Sequence, residues 1–219
     1  NDDFVSPAVL EQTNTFLANG FVFEATGEAG EPALAGLPPT RSVWFSWTAP
    51  SSGDLTLHTG GSDFDNVFGI YTGTNFSTLK LLQGRASTAL ATNPLIVPVK
   101  QGVNYIVKVD GRRATNGTYS LSGQLITLPA PSILRFTNLS TPTKQLSPRI
   151  SWSAVSNATH YQVEILQGTN LRASTSVKAP GTNWNNGPGL LRTNDYTARV
   201  RALSNNLASD WTTAPVVLP

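Results

Sequence analysis

The chain has 219 residues, of which 13% are charged, and it contains neither cysteine nor methionine. The lack of thiols excludes disulfides, thiolate metal sites and cysteine catalysis. No apolar run approaches the roughly 18 residues of a membrane-spanning helix. The net charge of only +2, without any nucleic-acid-binding motif, argues against a nucleic-acid partner.

The first half of the chain alternates apolar and polar residues in short runs, which is the pattern of half-buried strands. Val43, Phe45 and Trp47 fall on one face of such a run, and Leu55 and Leu57 fall on one face of the next. We predict strands at residues 20–26, 42–48, 54–59, 66–72, 79–83, 94–99, 103–110 and 117–126, and a short helical turn near 7–12.

The dipeptide Asn116-Gly117 lies between the last two predicted strands. Both residue types tolerate the positive φ that tight hairpin turns require, so the pair predicts a β-hairpin there. Eight strands joined by turns rich in glycine and proline predict a β-sandwich, jelly-roll-like in topology.

Residues 127–131 are predicted to form a linker between two domains, because Pro129 and Pro131 stiffen this segment and discourage pairing with a sheet. Charge changes sign at the same place. Residues 1–126 carry ten acidic and seven basic side chains, a net −3, whereas residues 127–219 carry three acidic and eight basic ones, a net +5. Domains of opposite charge can attract one another head to tail between copies of the chain.

Several motifs of the first domain occur together and in order: an N-terminal Asn-Asp-Asp-Phe, then GEAGEP, SVWFSWTAP, GSDFDNVFGIYTG and VNYIVKVDG. Together they resemble the bacterial pre-peptidase C-terminal domain over residues 1–126. The resemblance implies a secreted, non-catalytic β-sandwich module.

The runs RISWSAVSNATHYQVEI and NDYTARVRAL resemble a fibronectin type III domain over residues 132–219. The resemblance places Trp152 and Tyr161 on the second and third strands and Tyr196 at a tyrosine corner, with Leu190 before it. We expect all four side chains to pack in the core. The fold class predicted for the whole chain is therefore all-β, with two β-sandwich domains in tandem.

The residue types needed for catalysis are scarce. The two histidines, His58 and His160, fall in neither a zinc-protease nor a nucleophile-elbow motif. Glu28 and Glu31 could in principle form a glycosidase pair, but such a pair needs a cleft and a fixed separation that one loop does not offer. We therefore predict that the chain is not an enzyme.

Acidic residues near the N-terminus suggest a metal site. Calcium takes six to eight oxygen ligands, several of them carboxylates. Asn1, Asp2, Glu28 and Glu31 resemble, in type and spacing, the calcium ligands of some pre-peptidase C-terminal-like domains, and this resemblance makes calcium a candidate cofactor. The alternative is that these acids are solvated or cap turns.

Three side chains are candidates for ligand binding. Trp44 falls on the face opposite Val43 and Phe45, where it could stack on a sugar or a protein partner, or could be covered by the N-terminal segment or a loop. Arg199 and Arg201 alternate onto the outward face of a strand and could form a basic stripe together with Arg192.

We expect a secreted, non-catalytic structural or adhesive protein, plausible as a self-associating subunit of an extracellular filament or matrix. A thiol-free chain suits an oxidising exterior, and its start at Asn1 is that expected of a processed product. Its partners would be copies of itself, matrix proteins or polysaccharide. The alternative is an accessory substrate-binding or spacer region of a larger secreted hydrolase, either a peptidase or a glycosidase.

Overall fold

The computed structural model describes residues 1–89, 93–132, 134–139, 145–185, 189–191, 195–204 and 207–216. The chain divides into two compact units, Asn1–Ile126 and Thr127–Pro219. Each unit consists of two β-sheets that enclose an apolar core, so the predicted fold of two all-β sandwiches is confirmed. None of the described residues belongs to a helix with the length and apolarity needed to cross a membrane.

The first unit is a jelly roll. Its elements are β1 (Ala8–Val9), β2 (Thr15–Phe21), β3 (Val43–Thr48), β4 (Gly53–His58), β5 (Asn66–Thr72), β6 (Lys80–Ser87), β7 (Leu95–Val99), β8 (Asn104–Gly111), a 3-10 helix (Arg112–Ala114) and β9 (Thr118–Ile126). One sheet has the order β1-β3-β8-β5-β6 and the other β2-β9-β4-β7. Antiparallel pairs join β2 to β9, β3 to β8, β4 to β7 and β5 to β6, as in one long hairpin rolled into two sheets.

The hairpin predicted at Asn116-Gly117 is wrong. Strands β8 and β9 belong to different sheets, and the segment between them crosses from one sheet to the other. Gly117 is not in the left-handed region. A Cβ there would lie 2.1 Å from Asp63 Oδ1, which accepts the Thr118 N–H at 2.6 Å. The glycine therefore serves a close approach to another loop rather than a tight turn.

Near the N-terminus the elements also differ from prediction. Residues 7–12 form no helical turn, since β1 runs parallel to β3 and Leu10 N–H donates to Ser46 O at 2.9 Å. The strand predicted at 20–26 lies earlier, at Thr15–Phe21. It ends at a turn in which Ala25 N–H donates to Val22 O, and the Val22 side chain is buried there.

The first unit has two apolar clusters, one on each face of the sheet that contains β3, β5 and β8. The inner cluster fills the space between the two sheets and includes Phe45, Trp47 and Val107. The outer cluster consists of Phe4, Leu34, Trp44, Val67, Tyr71 and Ile106. Burial on both faces explains why nearly every residue of β5 and β8 is buried rather than every second one.

The second unit consists of a small sheet packed against a larger one. Its strands are β10 (Leu134–Leu139), β11 (Gln145–Trp152), β12 (His160–Gln167), β13 (Asn170–Lys178), β14 (Asn183–Trp184), β15 (Leu190–Leu191), β16 (Tyr196–Ser204), β17 (Leu207–Ala208) and β18 (Thr212–Val216). Strands β10, β11 and β14 form one sheet, in which β15 also pairs with β11. Strands β13, β12 and β16 form the other, in which β17 and β18 pair with β16.

The aromatic residues expected in the core of the second unit are buried there, together with Leu190. The Tyr161 hydroxyl accepts the Val155 N–H at 2.8 Å, and the Tyr196 hydroxyl accepts the Leu191 N–H at 3.3 Å. Leu128 belongs to the same core and Pro131 is buried. Part of the segment at 127–131 therefore packs within the second unit.

Candidate functional site

Trp44 is fully buried in the outer cluster of the first unit. Alternation along β3 does turn it away from the inner core, but Phe4 covers it edge-on at 5.1 Å between ring centroids and Phe76 lies 6.0 Å away. The backbone N–H of Trp44 also donates to Asn1 O at 2.8 Å. The N-terminal segment thus covers this tryptophan, which leaves no ring face free for a ligand.

A buried ionic cluster lies beside Trp44, and we call Glu31, Lys108 and Asp110 the Lys108 triad. Lys108 is on β8, directly across from Trp44 on β3, with Nζ 5.5 Å from the centre of the Trp44 ring. Its Nζ contacts Glu31 Oε1 directly and lies 3.1 Å from Asp110 Oδ2. None of the three side chains is more than 1% exposed.

Both carboxylates of the Lys108 triad are fixed by further donors. Glu31 Oε2 accepts the Ser42 hydroxyl at 2.8 Å and the Glu28 N–H at 2.9 Å. Asp110 Oδ1 accepts the Thr40 hydroxyl at 2.9 Å and the Arg41 N–H at 2.8 Å. The loop before β3 is thus attached to β8 through polar groups withdrawn from water.

Tyr71 borders the Lys108 triad. Burial, with smaller contributions from the charges of Glu31 and Asp110, raises the pKa of its phenol well above the ordinary value. Within the described part of the chain, no group hydrogen-bonds its hydroxyl.

The structure brings the predicted calcium residues close to one another. Asp2 Oδ1 accepts the Thr26 N–H at 2.8 Å, and Glu28 Oε1 accepts the Phe4 N–H at 2.5 Å. The N-terminal segment and the loop around Glu28 and Glu31 are therefore neighbours.

The oxygens of these residues are engaged by other groups of the protein. The oxygens of Asp2 and Glu28 accept backbone N–H groups, and Glu31 faces the ammonium group of Lys108. Among the described residues, no three acidic or histidine side chains come close enough to share a metal ion. Calcium at Glu31 would have to displace a cation that the protein itself supplies.

Arg199 and Arg201 form part of an ordered array on the second unit. They lie on β16 opposite Glu164 and Gln162 of β12. Arg199 bonds Glu164 Oε2 through Nη2 at 2.6 Å, and Arg201 bonds Gln162 Oε1 through Nη2 at 2.7 Å. Both guanidinium groups lie over the Trp211 ring, at 4.4 and 4.6 Å. Arg192, the third member of the predicted stripe, lies outside the described residues.

The two histidines contact hydroxyl and backbone groups. His58 Nε2 lies 3.0 Å from the Ser122 hydroxyl, the distance expected of a serine–histidine pair. However, its Nδ1 is met by the Gly60 N–H at 3.3 Å and not by a carboxylate that would orient the ring. His160 is exposed and contacts the neighbouring Thr159 hydroxyl.

Strand β2 lies at one edge of its sheet. Antiparallel pairing with β9 includes bonds from Leu125 N–H to Asn14 O and from Val22 N–H to Gly117 O. Residues with even numbers therefore bond to β9, and Leu17, Asn19 and Phe21 direct their N–H and C=O groups away from it. No strand in the described ranges pairs with that side.

Strand β2 and the residues just after it also expose large apolar side chains. Leu17 and Phe21 are each 65% exposed and Phe23 is 53% exposed. The sequence of β2, TFLANGF, has no charge and no proline. The other three edge strands of the two sheets have features that discourage pairing with another chain. Strand β1 has only two residues, β6 contains Lys80 and Arg85, and β7 contains Pro98.

Sequence reasoning did not identify the Lys108 triad, the partners of Arg199 and Arg201, or the edge at β2. A lysine within the apolar strand VNYIVKVDG was a usable signal for the triad, because alternation puts Lys108 and Asp110 on the same face. The edge could not be identified, because edge position depends on the order of strands in the sheet.

No protein-family model matches the chain, and no curated protein is significantly similar in sequence. Among solved structures, a segment of two fibronectin type III domains from chicken tenascin matches with 16% identity and a TM-score of 0.38, over 77% of this chain and 94% of that one. A cytokine receptor complex matches with 18% identity and a TM-score of 0.34, over 75% of this chain and 90% of that one.

A β-glucuronidase from Ruminococcus gnavus matches with 11% identity and a TM-score of 0.31 over 80% of this chain, which spans only 35% of that enzyme. The structures similar to this chain thus include fibronectin type III domains, whereas the pre-peptidase C-terminal resemblance of the first unit stays a prediction.

Proposed function

We propose that this protein is a non-catalytic structural or adhesive protein of the extracellular space that associates with copies of itself through the free edge of β2. The observation that carries the proposal is that edge. It is seven residues long and uncharged, and it exposes the apolar side chains of Leu17 and Phe21; it lacks the charges and prolines by which edge strands ordinarily avoid pairing.

Pairing of β2 with β2 of a second copy would satisfy the outward N–H and C=O groups of Leu17, Asn19 and Phe21. It would also bring the exposed side chains of Leu17, Phe21 and Phe23 into contact with the same strand of the second copy. Main-chain bonds supply affinity in such strand addition, and side chains supply register. A strand that pairs with itself antiparallel is self-complementary about a two-fold axis.

A two-fold pair closes on itself, so a filament needs a second contact surface. The opposite net charges of the two units, −3 and +5, supply an attraction of the right kind between neighbouring pairs. This contact would weaken as salt screens it, whereas the β2 contact would persist.

Sedimentation velocity of the full chain, over a range of concentrations and at low and high salt, tests the proposal. We expect a dimer that persists in high salt, and larger species in low salt. Leu17→Lys places a charge on the edge and is expected to leave a monomer. Ile96→Lys is the matched control, because Ile96 is 56% exposed on β7 at the opposite end of the same sheet.

A chain that is monomeric at every concentration, or a Leu17→Lys variant that sediments like the wild type, would contradict the proposal. Monomers would favour the alternative, an accessory or spacer region of a larger secreted hydrolase. Binding of calcium, matrix protein or polysaccharide stays a prediction that titration calorimetry can test.

A further inference from the structure

The Lys108 triad is an unusual environment for a lysine. Lys108 is on the central strand of a sheet that is covered on both faces, and it is paired with Trp44 and Gly69 of the neighbouring strands. Removing an ammonium and a carboxylate from water is expensive, and their attraction offsets this only when further hydrogen bonds of good geometry are present. Yet within the described residues, neither Lys108 Nζ nor Glu31 Oε1 has a hydrogen bond of regular geometry, although the two atoms touch.

We propose that Lys108 and Glu31 are joined by an intramolecular isopeptide bond, with Asp110 as the proton-transfer group. An amide in place of the ion pair removes two buried charges and leaves a neutral group of nearly the same shape. The reactants are already in contact, and a fixed apposition of this kind can be equivalent to a very high effective concentration.

Each step has a group in place. Nζ first passes a proton to Glu31 Oε1, with which it is in direct contact, and this transfer leaves a neutral amine beside a carboxylic acid. The amine then attacks Glu31 Cδ and forms the C–N bond. The negative charge of the tetrahedral intermediate develops on Oε2, which faces two donors, the Ser42 hydroxyl at 2.8 Å and the Glu28 N–H at 2.9 Å.

Asp110 completes the reaction. Its Oδ2, 3.1 Å from Nζ, takes the surplus proton from the nitrogen and delivers it to the protonated Oε1. The C–Oε1 bond breaks and one water molecule leaves. Asp110 returns to its carboxylate form, so no oxidant, reductant or cofactor is consumed. Bonds from Thr40 and Arg41 to Oδ1 hold this carboxylate in position.

The bond would attach the loop at Glu31 covalently to β8. Glu28 of this loop accepts the N–H of Phe4, which packs on Trp44, so the bond would also help to hold the N-terminal segment over this tryptophan.

Mass spectrometry of the purified native chain tests the proposal directly. The intact mass is expected to fall below the sequence mass by one water molecule. Trypsin normally cleaves after Arg41, Lys100, Lys108 and Arg112. An acylated Lys108 resists cleavage, so we expect peptide 1–41 joined to peptide 101–112. A full sequence mass, with free peptides 1–41 and 101–108, would overturn the proposal.

Variants assign the roles. Lys108→Arg is expected to lose the mass deficit. Lys100→Arg, which changes an exposed lysine of the first unit, should keep it. Asp110→Asn should fold, with a circular dichroism spectrum that matches the wild type, but its peptides that contain Glu31 and Lys108 should not be linked. Full cross-linking in folded Asp110→Asn would remove Asp110 from the mechanism.

Discussion

Leu34 gives the most specific prediction about how the first unit is held together. Its side chain is fully buried over two glycines that face each other on β5 and β6, Gly69 and Gly84. A Cβ built on Gly69 would lie 2.8 Å from Leu34 Cδ1, and one built on Gly84 would lie 2.4 Å from it. The two missing Cβ atoms make the space that Leu34 fills.

Leu34→Ala should therefore destabilise the first unit by about 3–4 kcal/mol, since the lost side chain is fully buried and leaves a cavity over the two glycines. Gly84→Ala alone should cost about 1–3 kcal/mol through overpacking. In the Leu34→Ala background the same methyl group enters vacated space, so its effect should be neutral or stabilising. The double-mutant cycle should then give a coupling energy of about 1–3 kcal/mol.

Hydrogen exchange of the full chain, followed by peptide mass spectrometry, measures these effects in the first unit alone. The best-protected amides of β5 and β8 should exchange roughly 100- to 1,000-fold faster in Leu34→Ala, as 1.36 kcal/mol corresponds to a factor of ten. Peptides of β12 and β16 serve as the internal control. Equal costs of Gly84→Ala in both backgrounds would refute the close packing of Leu34 on this glycine.

Three other predictions follow from the polar contacts. Tyr71→Phe should be neutral or slightly stabilising at pH 7, since the hydroxyl lacks a partner within the described residues; a loss above about 2 kcal/mol would show an overlooked bond. The pKa of Tyr71 is raised in the folded state. Its contribution to the free energy of unfolding is therefore present below the unfolded pKa of about 10, and is lost as the pH rises above that value. Alkaline unfolding should therefore begin at higher pH in Tyr71→Phe, and an unchanged profile would contradict this. Trp211→Leu should destabilise the second unit by about 1–2 kcal/mol through loss of stacking with Arg199 and Arg201, seen as faster exchange in β16, whereas unchanged exchange there would show that the stacks contribute nothing.

Local pattern predicted the strands of the first unit well, because alternation is a property of neighbouring residues. The strand at 66–72 has the predicted bounds. Alternation also correctly predicted that Trp44 and Phe45 lie on opposite faces of the sheet. What covers Trp44 depends on Phe4 and Phe76, which are distant in sequence, so no local pattern could reveal it. The β-hairpin predicted at Asn116-Gly117 was wrong for the same reason, since Gly117 makes its close contact with Asp63 in another loop.

Amide exchange along β2 tests the proposed self-association most directly. Leu17, Asn19 and Phe21 direct their N–H groups to the free edge, whereas the N–H groups of Ala18 and Gly20 bond to β9 in every state. At concentrations where the protein associates, the first three amides should become protected, and on dilution they should exchange rapidly while Ala18 and Gly20 stay protected. Rapid exchange of Leu17, Asn19 and Phe21 in the associated state would show that the copies meet elsewhere, and would contradict assembly through this edge.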